Sequence, residues 1–247
     1  MPVMDTLPPK PRTEKLRPEL TRLPPLTLGR RFVRGVFHQL IKALVRVCAR
    51  LNVRGVEHIP TQGPMLVVSN HLGDADVLIG LAVATVPYDM LAKVELYDLP
   101  IVGRLMESYG VIWVHRGQPD RRAIRAALQG LAEGRILAIS PEGRESVTGA
   151  LEEGMGGAAY LAIKADVPVL PVALTGTENW RVYSNLKHFR RTDVTLTVGR
   201  PFRLPRLENR RQAVDEGTNT IMRAIARMLP PEYRGVYQHV MEERERE

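Results

Sequence analysis

His71 and Asp76 are the residues of this chain whose types and spacing best suit acid–base chemistry. A neutral histidine can take a proton from a hydroxyl near neutral pH, and a carboxylate on its other ring nitrogen fixes the tautomer. Residues five apart in a regular helix point about 140° away from each other, so the pair meets only across a tight turn. Gly73 allows such a turn, and Asp74 stays open as a rival partner or a helix N-cap.

The same His-x4-Asp spacing occurs twice more, at His115 and Asp120 and at His188 and Asp193. Asp120 begins a predicted helix, where an acid is favourable to the helix dipole. His188 lies in a basic segment without a clear preceding strand, which is typical of a surface loop. We therefore interpret both pairs as structural and place the chemistry at His71, which follows a predicted buried strand.

Two further polar turns follow predicted strands, one with Arg116 and one with Glu142, Gly143 and Arg144. Arginine offers a planar donor fork that suits phosphate, and backbone N–H groups of a Pro-Glu-Gly turn can face an anion. Glu142 could hold an arginine or bind an acceptor hydroxyl; an ordinary surface ion pair between Arg116 and Glu142 is the alternative. Since ligands gather at the carboxyl ends of parallel strands, we expect these turns to lie near His71.

The elements that must position these residues alternate between short apolar strands and helices. Strands are predicted at 65–69, 89–94, 111–114, 135–139, 167–174 and 194–198, and helices at 75–85, 100–107, 120–131, 156–164 and 210–228. This alternation predicts a single α/β domain with a largely parallel sheet flanked by helices. Pro168 and Pro171 indicate that their strand is an edge strand or an irregular, site-forming one.

The net charge of +8 belongs to the first 60 residues, which hold twelve Lys/Arg and four Asp/Glu, whereas residues 61–247 hold 23 of each sign. Seven prolines predict an irregular arm at residues 1–28. Residues 29–54 predict a basic amphipathic helix. Its apolar set is Val33, Phe37, Leu40, Leu44, Val47 and Leu51, and its basic set is Arg34, His38, Lys42, Arg46 and Arg50.

The basic face of this helix has two interpretations. It is either a solvated surface of a helix packed on the core, or the face of an interfacial helix that contacts anionic lipid head groups. We favour the lipid surface as the partner. The neutral balance of residues 61–247 and the 5% aromatic content argue against extended nucleic-acid binding.

Composition also indicates the compartment. Cys48 is the sole cysteine of the sequence, so no internal disulfide can form, which suits a reducing cytoplasm. No apolar run approaches the roughly 18 residues of a spanning helix, and no secretory signal is visible. We expect a cytoplasmic protein, peripheral on the inner face of the cell membrane.

Four ordered segments together resemble the glycerolipid acyltransferase family, in particular its bacterial 1-acyl-glycerol-3-phosphate acyltransferases. They are Asn70-His71-x4-Asp76, Gly110-x5-Arg116, Pro141-Glu142-Gly143 and the run 167–172. The resemblance covers about residues 55–200, within an expected acyltransferase domain at 55–235 that is followed by a charged tail at 236–247.

The resemblance implies that His71 is the general base and Asp76 its orienting partner. The hydroxyl of a lysophospholipid would attack an acyl thioester of coenzyme A or acyl carrier protein. The acceptor would be 1-acyl-glycerol-3-phosphate and the product phosphatidic acid, with no metal, cofactor or covalent intermediate. The substrate-binding residues would be Lys93, Arg116, Glu142, Gly143, Arg144 and Pro171.

The third segment departs from the family pattern Phe-Pro-Glu-Gly-Thr-Arg-Ser. Glu145 occupies the usual arginine position and Arg144 the usual threonine position, so the phosphate contact is either lost or moved by one residue. Met155 stands where a lysine is frequent. Two other functions stay open: hydrolysis of a lipid or thioester, in which His71 activates water, and a non-catalytic basic module that binds membranes.

Overall fold

The computed structural model describes residues 8–117 and 119–238. Within these residues the strands are β1 Ala49–Arg54, β2 Met65–Ser69, β3 Asp89–Lys93, β4 Ile112–Val114, β5 Ile136–Ile139, β6 Val169–Thr175 and β7 Thr192–Val198. The α-helices there are α1 Leu28–Cys48, α2 Ala75–Val83, α3 Val102–Tyr109, α4 Arg121–Ala132, α5 Gly157–Ala165, α6 Asn179–Lys187 and α7 Arg210–Met228.

The strands form one sheet in the order β1-β7-β6-β2-β5-β3-β4, parallel except for the β6–β7 pair. Successive side chains of a strand point to opposite faces, and helices cover both. Leu66 and Val68 belong to a core shared with α4, α5 and α7. Val67 and Leu170 belong to a second core shared with α1 and α2. The predicted α/β domain with a largely parallel sheet is confirmed.

The expectation that the prolines mark an edge strand is wrong, because β6 lies between β7 and β2 in the middle of the sheet. The carbonyl of Pro171 accepts the N–H of Gly199, the residue after β7 ends, at 2.9 Å. In a strand, the C=O and the nitrogen of one residue point to the same side. The nitrogen of Pro171, which carries no hydrogen, therefore faces the chain just beyond the end of β7, where the strand pairing stops. Pro168 precedes the strand.

The predicted helix over 29–54 is too long. It ends at Cys48, and residues 49–54 form the edge strand β1, which pairs in parallel with β7. Burial along β1 alternates, the period-2 pattern of a strand with one covered face. Helix α6 was not predicted; it is short, and none of its side chains is buried.

The predicted basic set of α1 does not share one exposed face: Arg46 and Arg50 are exposed and Lys42 is half-buried, but the first two members turn inward. Arg34 and His38 are buried, whereas Phe32, Leu40 and Val47 are 74%, 62% and 71% exposed. The Arg34 guanidinium pairs with Asp89 Oδ1 at 2.5 Å and donates to the carbonyls of Tyr109 and Gly110, at the carboxyl end of α3. Unpaired carbonyls at a helix end attract a cation, and this draws Arg34 inward.

None of the helices in the described ranges is long and apolar enough to cross a membrane. Residues 1–7 of the predicted arm and 239–247 of the predicted tail lie outside the described residues. The first part of that tail is folded onto the domain, since the Val236 N–H donates to the Leu151 carbonyl at 3.2 Å.

Candidate active site

The candidate residues lie at the carboxyl edge of four neighbouring parallel strands, β2, β5, β3 and β4. The register pairs Met90 with Ala138, and Ala138 with Val67. Three residues further along each strand, Lys93, Pro141 and Asn70 therefore stand at one level. The turns that follow these strands thus open on the same edge, as expected.

His71 and Asp76 meet as predicted. The imidazole Nδ1 lies 2.7 Å from Asp76 Oδ2, and the side chains are 25% and 5% exposed. The same oxygen accepts the backbone N–H groups of Leu72 at 2.7 Å and Gly73 at 3.1 Å, so the shared hydrogen is assigned to Nδ1. Nε2 makes no hydrogen bond within the described residues. A neutral ring with a free Nε2 lone pair is the form that a general base needs.

The backbone around His71 is fixed from several sides. Asn70, at the end of β2, exchanges two hydrogen bonds of 2.8 Å with the backbone of Leu174 in β6. Gly73 is required by close packing, since a Cβ there would lie 2.5 Å from Asn179 Oδ1. The rival acid, Asp74, makes no capping hydrogen bond and accepts the Tyr183 hydroxyl at 2.5 Å instead. Asp76 is therefore the partner of His71.

Charges around His71 favour its protonated form. Burial alone disfavours an imidazolium, but the hydrogen bond to Asp76 and the negative charges of Asp76, Glu145 and Glu142 outweigh it and raise the pKa of His71 above 6.5. A base with a raised pKa holds an abstracted proton more firmly, and it stays neutral only at higher pH.

Glu142 does not contact an arginine side chain, contrary to one of the roles considered for it. It is fully buried; Oε1 accepts the His71 N–H at 2.9 Å and Oε2 accepts the Glu152 N–H at 2.8 Å. Burial raises the pKa of this carboxyl to about 7, although both hydrogen bonds act in the opposite direction. With both oxygens engaged by the backbone, Glu142 positions the main chain of His71, and substrate binding by Glu142 stays a prediction.

Arg144, the candidate replacement for the displaced family arginine, is held by contacts within the protein. It is buried, its Nε donates to Glu152 Oε2 at 2.7 Å and its Nη1 to the Pro8 carbonyl at 2.7 Å. Two guanidinium nitrogens of Arg144 are thus engaged within the protein, and a phosphate contact at Arg144 stays a prediction. Gly143 is exposed with φ +72°, a conformation that favours glycine, and a Cβ there would lie 2.7 Å from Met155 Sδ.

Lys93 and Arg116 remain as cations at this edge. Lys93 ends β3 and pairs with Val114 of β4; Arg116 follows two residues later. With strands about 4.8 Å apart, β3 and β4 lie about 10 and 14 Å from β2. Neither cation makes an ion pair with a described residue. The buried Nε of Arg116 has no hydrogen-bond partner there.

Pro171 lies within the sheet rather than in a turn at its edge. The register pairs it with Val68, three residues before His71, and its buried ring lies beside Gly199. Pro171 has a structural place within β6, and its expected role in substrate binding stays a prediction.

The two other His-x4-Asp pairs differ from the first. His115 Nδ1 lies 2.8 Å from Asp120 Oδ2, but its Nε2 accepts the Arg17 N–H at 2.8 Å, so the buried ring has no free lone pair. His188 Nδ1 lies 2.7 Å from the Ser184 carbonyl, and no contact joins His188 to Asp193. Of the three, the structure frees an Nε2 for proton transfer beside a carboxylate only at His71.

Sequence reasoning missed three contributors to the site. Asn179, on the unpredicted helix α6, donates from Nδ2 to Glu145 at 2.9 Å and accepts the Asp74 N–H at 2.9 Å. Thr13 and Lys10 of the proline-rich segment contact Arg116 and Glu142. A short polar helix and an irregular arm carry no periodic signal. Among the described residues, no group of three or more His, Cys, Asp or Glu could hold a metal ion.

Comparisons with known proteins identify relatives of this chain. A 1-acyl-sn-glycerol-3-phosphate acyltransferase of Borreliella burgdorferi is 29% identical over 56% of this chain and 59% of its own length. A lyso-ornithine lipid O-acyltransferase of Pseudomonas aeruginosa is 38% identical over 53% of this chain and 51% of its own length. The match thus spans little more than half the length of these relatives.

The fold has a solved counterpart. The crystal structure of the 1-acyl-sn-glycerophosphate acyltransferase PlsC from Thermotoga maritima superposes with a TM-score of 0.59 and 22% identity, covering 81% of this chain and 83% of that one. At this identity the likeness concerns the fold alone. The Acyltransferase family model matches residues 50–175, half of the chain, and this span contains the turns of His71, Arg116 and Glu142. The chain therefore belongs to the acyltransferase family.

Proposed function

We propose that this protein is an O-acyltransferase that moves a fatty acyl group from a thioester to the hydroxyl of a lysophospholipid, with His71 as general base. The donor is acyl-CoA or acyl carrier protein, and the first acceptor to test is 1-acyl-glycerol-3-phosphate, which would give phosphatidic acid. The observation that carries the proposal is the His71 ring, bonded to Asp76 through Nδ1 at 2.7 Å while Nε2 lacks a partner within the described residues.

The proposed reaction needs one proton carrier. Nε2 of His71 takes the hydroxyl proton of the acceptor as its oxygen attacks the thioester carbonyl carbon. The tetrahedral intermediate collapses, the carbon–sulfur bond breaks, and the imidazolium returns the proton to the leaving thiolate. Asp76 stabilises the imidazolium during these steps. The products are a new ester and a free thiol, and the enzyme is unchanged.

The cations at the β3–β4 end of the edge support a phosphorylated acceptor. Lys93 and Arg116 lie beyond Glu142 as seen from His71, and neither has an ion pair among the described residues. A buried phosphate needs positive partners, because its desolvation is otherwise uncompensated. Glycerol phosphate would then extend from His71 toward β4, with its free hydroxyl at Nε2.

The outer face of α1 supports peripheral attachment to a membrane. Phe32, Val36, Leu40, Leu44 and Val47 recur every three or four residues and are all exposed, so they form one apolar stripe, the α1 stripe. Exposed Arg31 and Arg46 flank it. An exposed apolar stripe beside basic residues is typical of a helix lying in a lipid interface. The membrane contact is therefore proposed for the stripe rather than for the basic face, with the inner face of the cell membrane as its place.

Product analysis tests this proposal most broadly. Purified protein is incubated with acyl-CoA or acyl carrier protein and a panel of lysolipids that includes 1-acyl-glycerol-3-phosphate and lyso-ornithine lipid, and the products are identified by mass. Transfer to a lysolipid supports the proposal. Thioester hydrolysis that ignores the acceptor would indicate a hydrolase. Vesicle binding without turnover would indicate a non-catalytic module.

A further inference from the structure

The segment before α1, residues 8–27, crosses the carboxyl edge of the sheet; we call it the N-terminal arm. Thr13 exchanges two hydrogen bonds with the backbone of Arg116, at 3.0 Å from its N–H and at 2.8 Å to its Oγ1. The Arg17 N–H donates to His115 Nε2 at 2.8 Å. The second, non-catalytic His-Asp pair thus anchors the arm beside β4.

Lys10 connects the N-terminal arm to the turn after β5. Its Nζ donates to the Glu142 carbonyl at 2.7 Å and to the Glu153 carbonyl at 3.1 Å. Burial lowers the pKa of Lys10, a cost that the nearby Glu152 and Glu142 carboxylates partly offset. An ammonium has three donors, and the third makes no hydrogen bond with a described residue.

Lys10 and Arg116 are linked through Thr13 of the N-terminal arm. Thr13 is bonded to Arg116, and the three residues from Lys10 to Thr13 span at most about 11 Å even when extended. Neither cation forms an ion pair with a carboxylate in the described ranges, and the Arg116 Nε is buried without a partner. Lys10 has a free N–H donor and the Arg116 Nε is unpartnered, so both can donate to an anionic ligand at the edge that holds His71.

The neighbours of Lys10 are less suited to this role. Arg144 is held by Glu152, and its other contact, with the Pro8 carbonyl, anchors the arm two residues from Lys10. Glu145 carries the same charge as the ligand. The positive charge at this turn therefore comes from outside the segment that matches the family.

We propose that Lys10 of the N-terminal arm binds the phosphate of the lysolipid acceptor together with Arg116, and so selects phosphorylated acceptors. This inference rests on the proposed function only in the identity of the ligand. A mere tether is the competing role, because Lys10 already binds two backbone carbonyls. A tether would affect all ligands alike, whereas a phosphate contact distinguishes ligands with and without phosphate.

Ligand binding without an acyl donor tests the proposal on the full-length protein. Titration calorimetry compares 1-hexanoyl-glycerol-3-phosphate with 1-hexanoylglycerol for the parent, Lys10→Met, Lys10→Arg and Lys15→Met. Lys15 is an exposed arm residue with no hydrogen bond or ion pair among the described residues, and serves as the matched control. Thermal midpoints show whether each variant keeps its fold, and inorganic phosphate serves as a competitor.

We expect Lys10→Met to raise the Kd of the phosphorylated ligand about ten-fold and to leave that of 1-hexanoylglycerol unchanged, because a hydrogen bond to a charged group is lost. Lys10→Arg should recover much of the loss, Lys15→Met should match the parent, and inorganic phosphate should compete less well in Lys10→Met. An unchanged Kd, an equal loss for both ligands, or a parent that does not prefer the phosphorylated ligand would overturn the proposal. Absent acyl transfer would reject the proposed function instead, since turnover plays no part in this readout.

Discussion

Glu142 Oε1 accepts the backbone N–H of His71 at 2.9 Å, so a fully buried carboxylate from the turn after β5 holds the base that follows β2. The contact is reinforced by the Ser146 N–H, which donates to the His71 carbonyl at 2.7 Å. The turn after β5 therefore holds the main chain of His71 through both its N–H and its C=O. In the reaction proposed above, the Pro-Glu-Gly turn would act through the position of His71.

Glu142→Gln tests this positioning role. Glutamine offers one oxygen where two backbone N–H groups need acceptors, so its NH₂ group must face a donor. We expect kcat to fall about 10²-fold with little change in acceptor KM, as for a small misplacement of a reacting group. Steady-state kinetics measure both constants. Exposed Glu208→Gln is the control, and a change confined to acceptor KM would show that Glu142 binds substrate after all.

Glu145→Gln should shift the pH dependence of the reaction. The Glu145 carboxylate helps to raise the pKa of His71, so its neutralisation lowers that pKa. Since the neutral ring is the active base, the acidic limb of the kcat/KM profile should move to lower pH while the alkaline plateau changes little. A pH–rate profile of the parent and of Glu208→Gln gives the reference. An acidic limb at the same pH in the variant and the parent would mean that Glu145 has no electrostatic influence on His71.

Arg34→Gln should destabilise the fold. It leaves Asp89, which is 1% exposed, with only the 3.4 Å contact to Arg135 as an ion pair. Breaking a buried pair from one side costs about 3 kcal/mol or more. Urea unfolding of the variant measures this loss, with exposed Arg46→Gln as the control. Equal unfolding free energies of the two variants would show that Arg34 is an ordinary surface residue.

The α1 stripe should dominate membrane binding. A Phe32→Asp/Leu40→Asp variant removes two apolar side chains, each contributing about 1.5–3 kcal/mol when buried, so affinity for phosphatidylglycerol vesicles should fall more than ten-fold. A variant with Arg31, Lys42 and Arg46 changed to Gln should weaken binding less and mainly at low salt. Vesicle sedimentation measures both, with exposed Val56→Asp as the control. A greater loss in the basic variant would restore the basic face as the contact.

The features that could be predicted from the sequence are those that depend on residue spacing and hydrophobic periodicity. The His71–Asp76 pair follows from a five-residue spacing with a glycine after an apolar strand, and the parallel sheet follows from alternating elements. The helical periodicity of the apolar and basic residues in α1 was also predicted, but periodicity alone does not show which face of the helix is buried. That choice depends on Asp89 and the carbonyls of Tyr109 and Gly110, which are distant in the sequence.

Substrate-binding roles were less predictable for the same reason. Arg144 was expected at the phosphate by its place in the sequence, but its direction is set by Glu152, eight residues on. Pro171 was predicted to bind substrate. Whether a proline fits at this point of β6 depends on where the neighbouring strand β7 ends. The proline-rich arm was predicted to be irregular, and its described residues 8–27 are irregular. Its contacts with Arg116 and Glu142 have no signal in the local sequence.

Acyl transfer by His71→Ala tests the central claim most directly. The variant is compared with the parent and with His188→Ala, which removes an exposed histidine of the same spacing pattern, using an acyl thioester and the lysolipid that the parent accepts. General-base removal should lower kcat about 10²- to 10⁴-fold at an unchanged thermal midpoint, while His188→Ala stays near the parent. A His71→Ala enzyme that keeps most of its transfer activity would contradict the account.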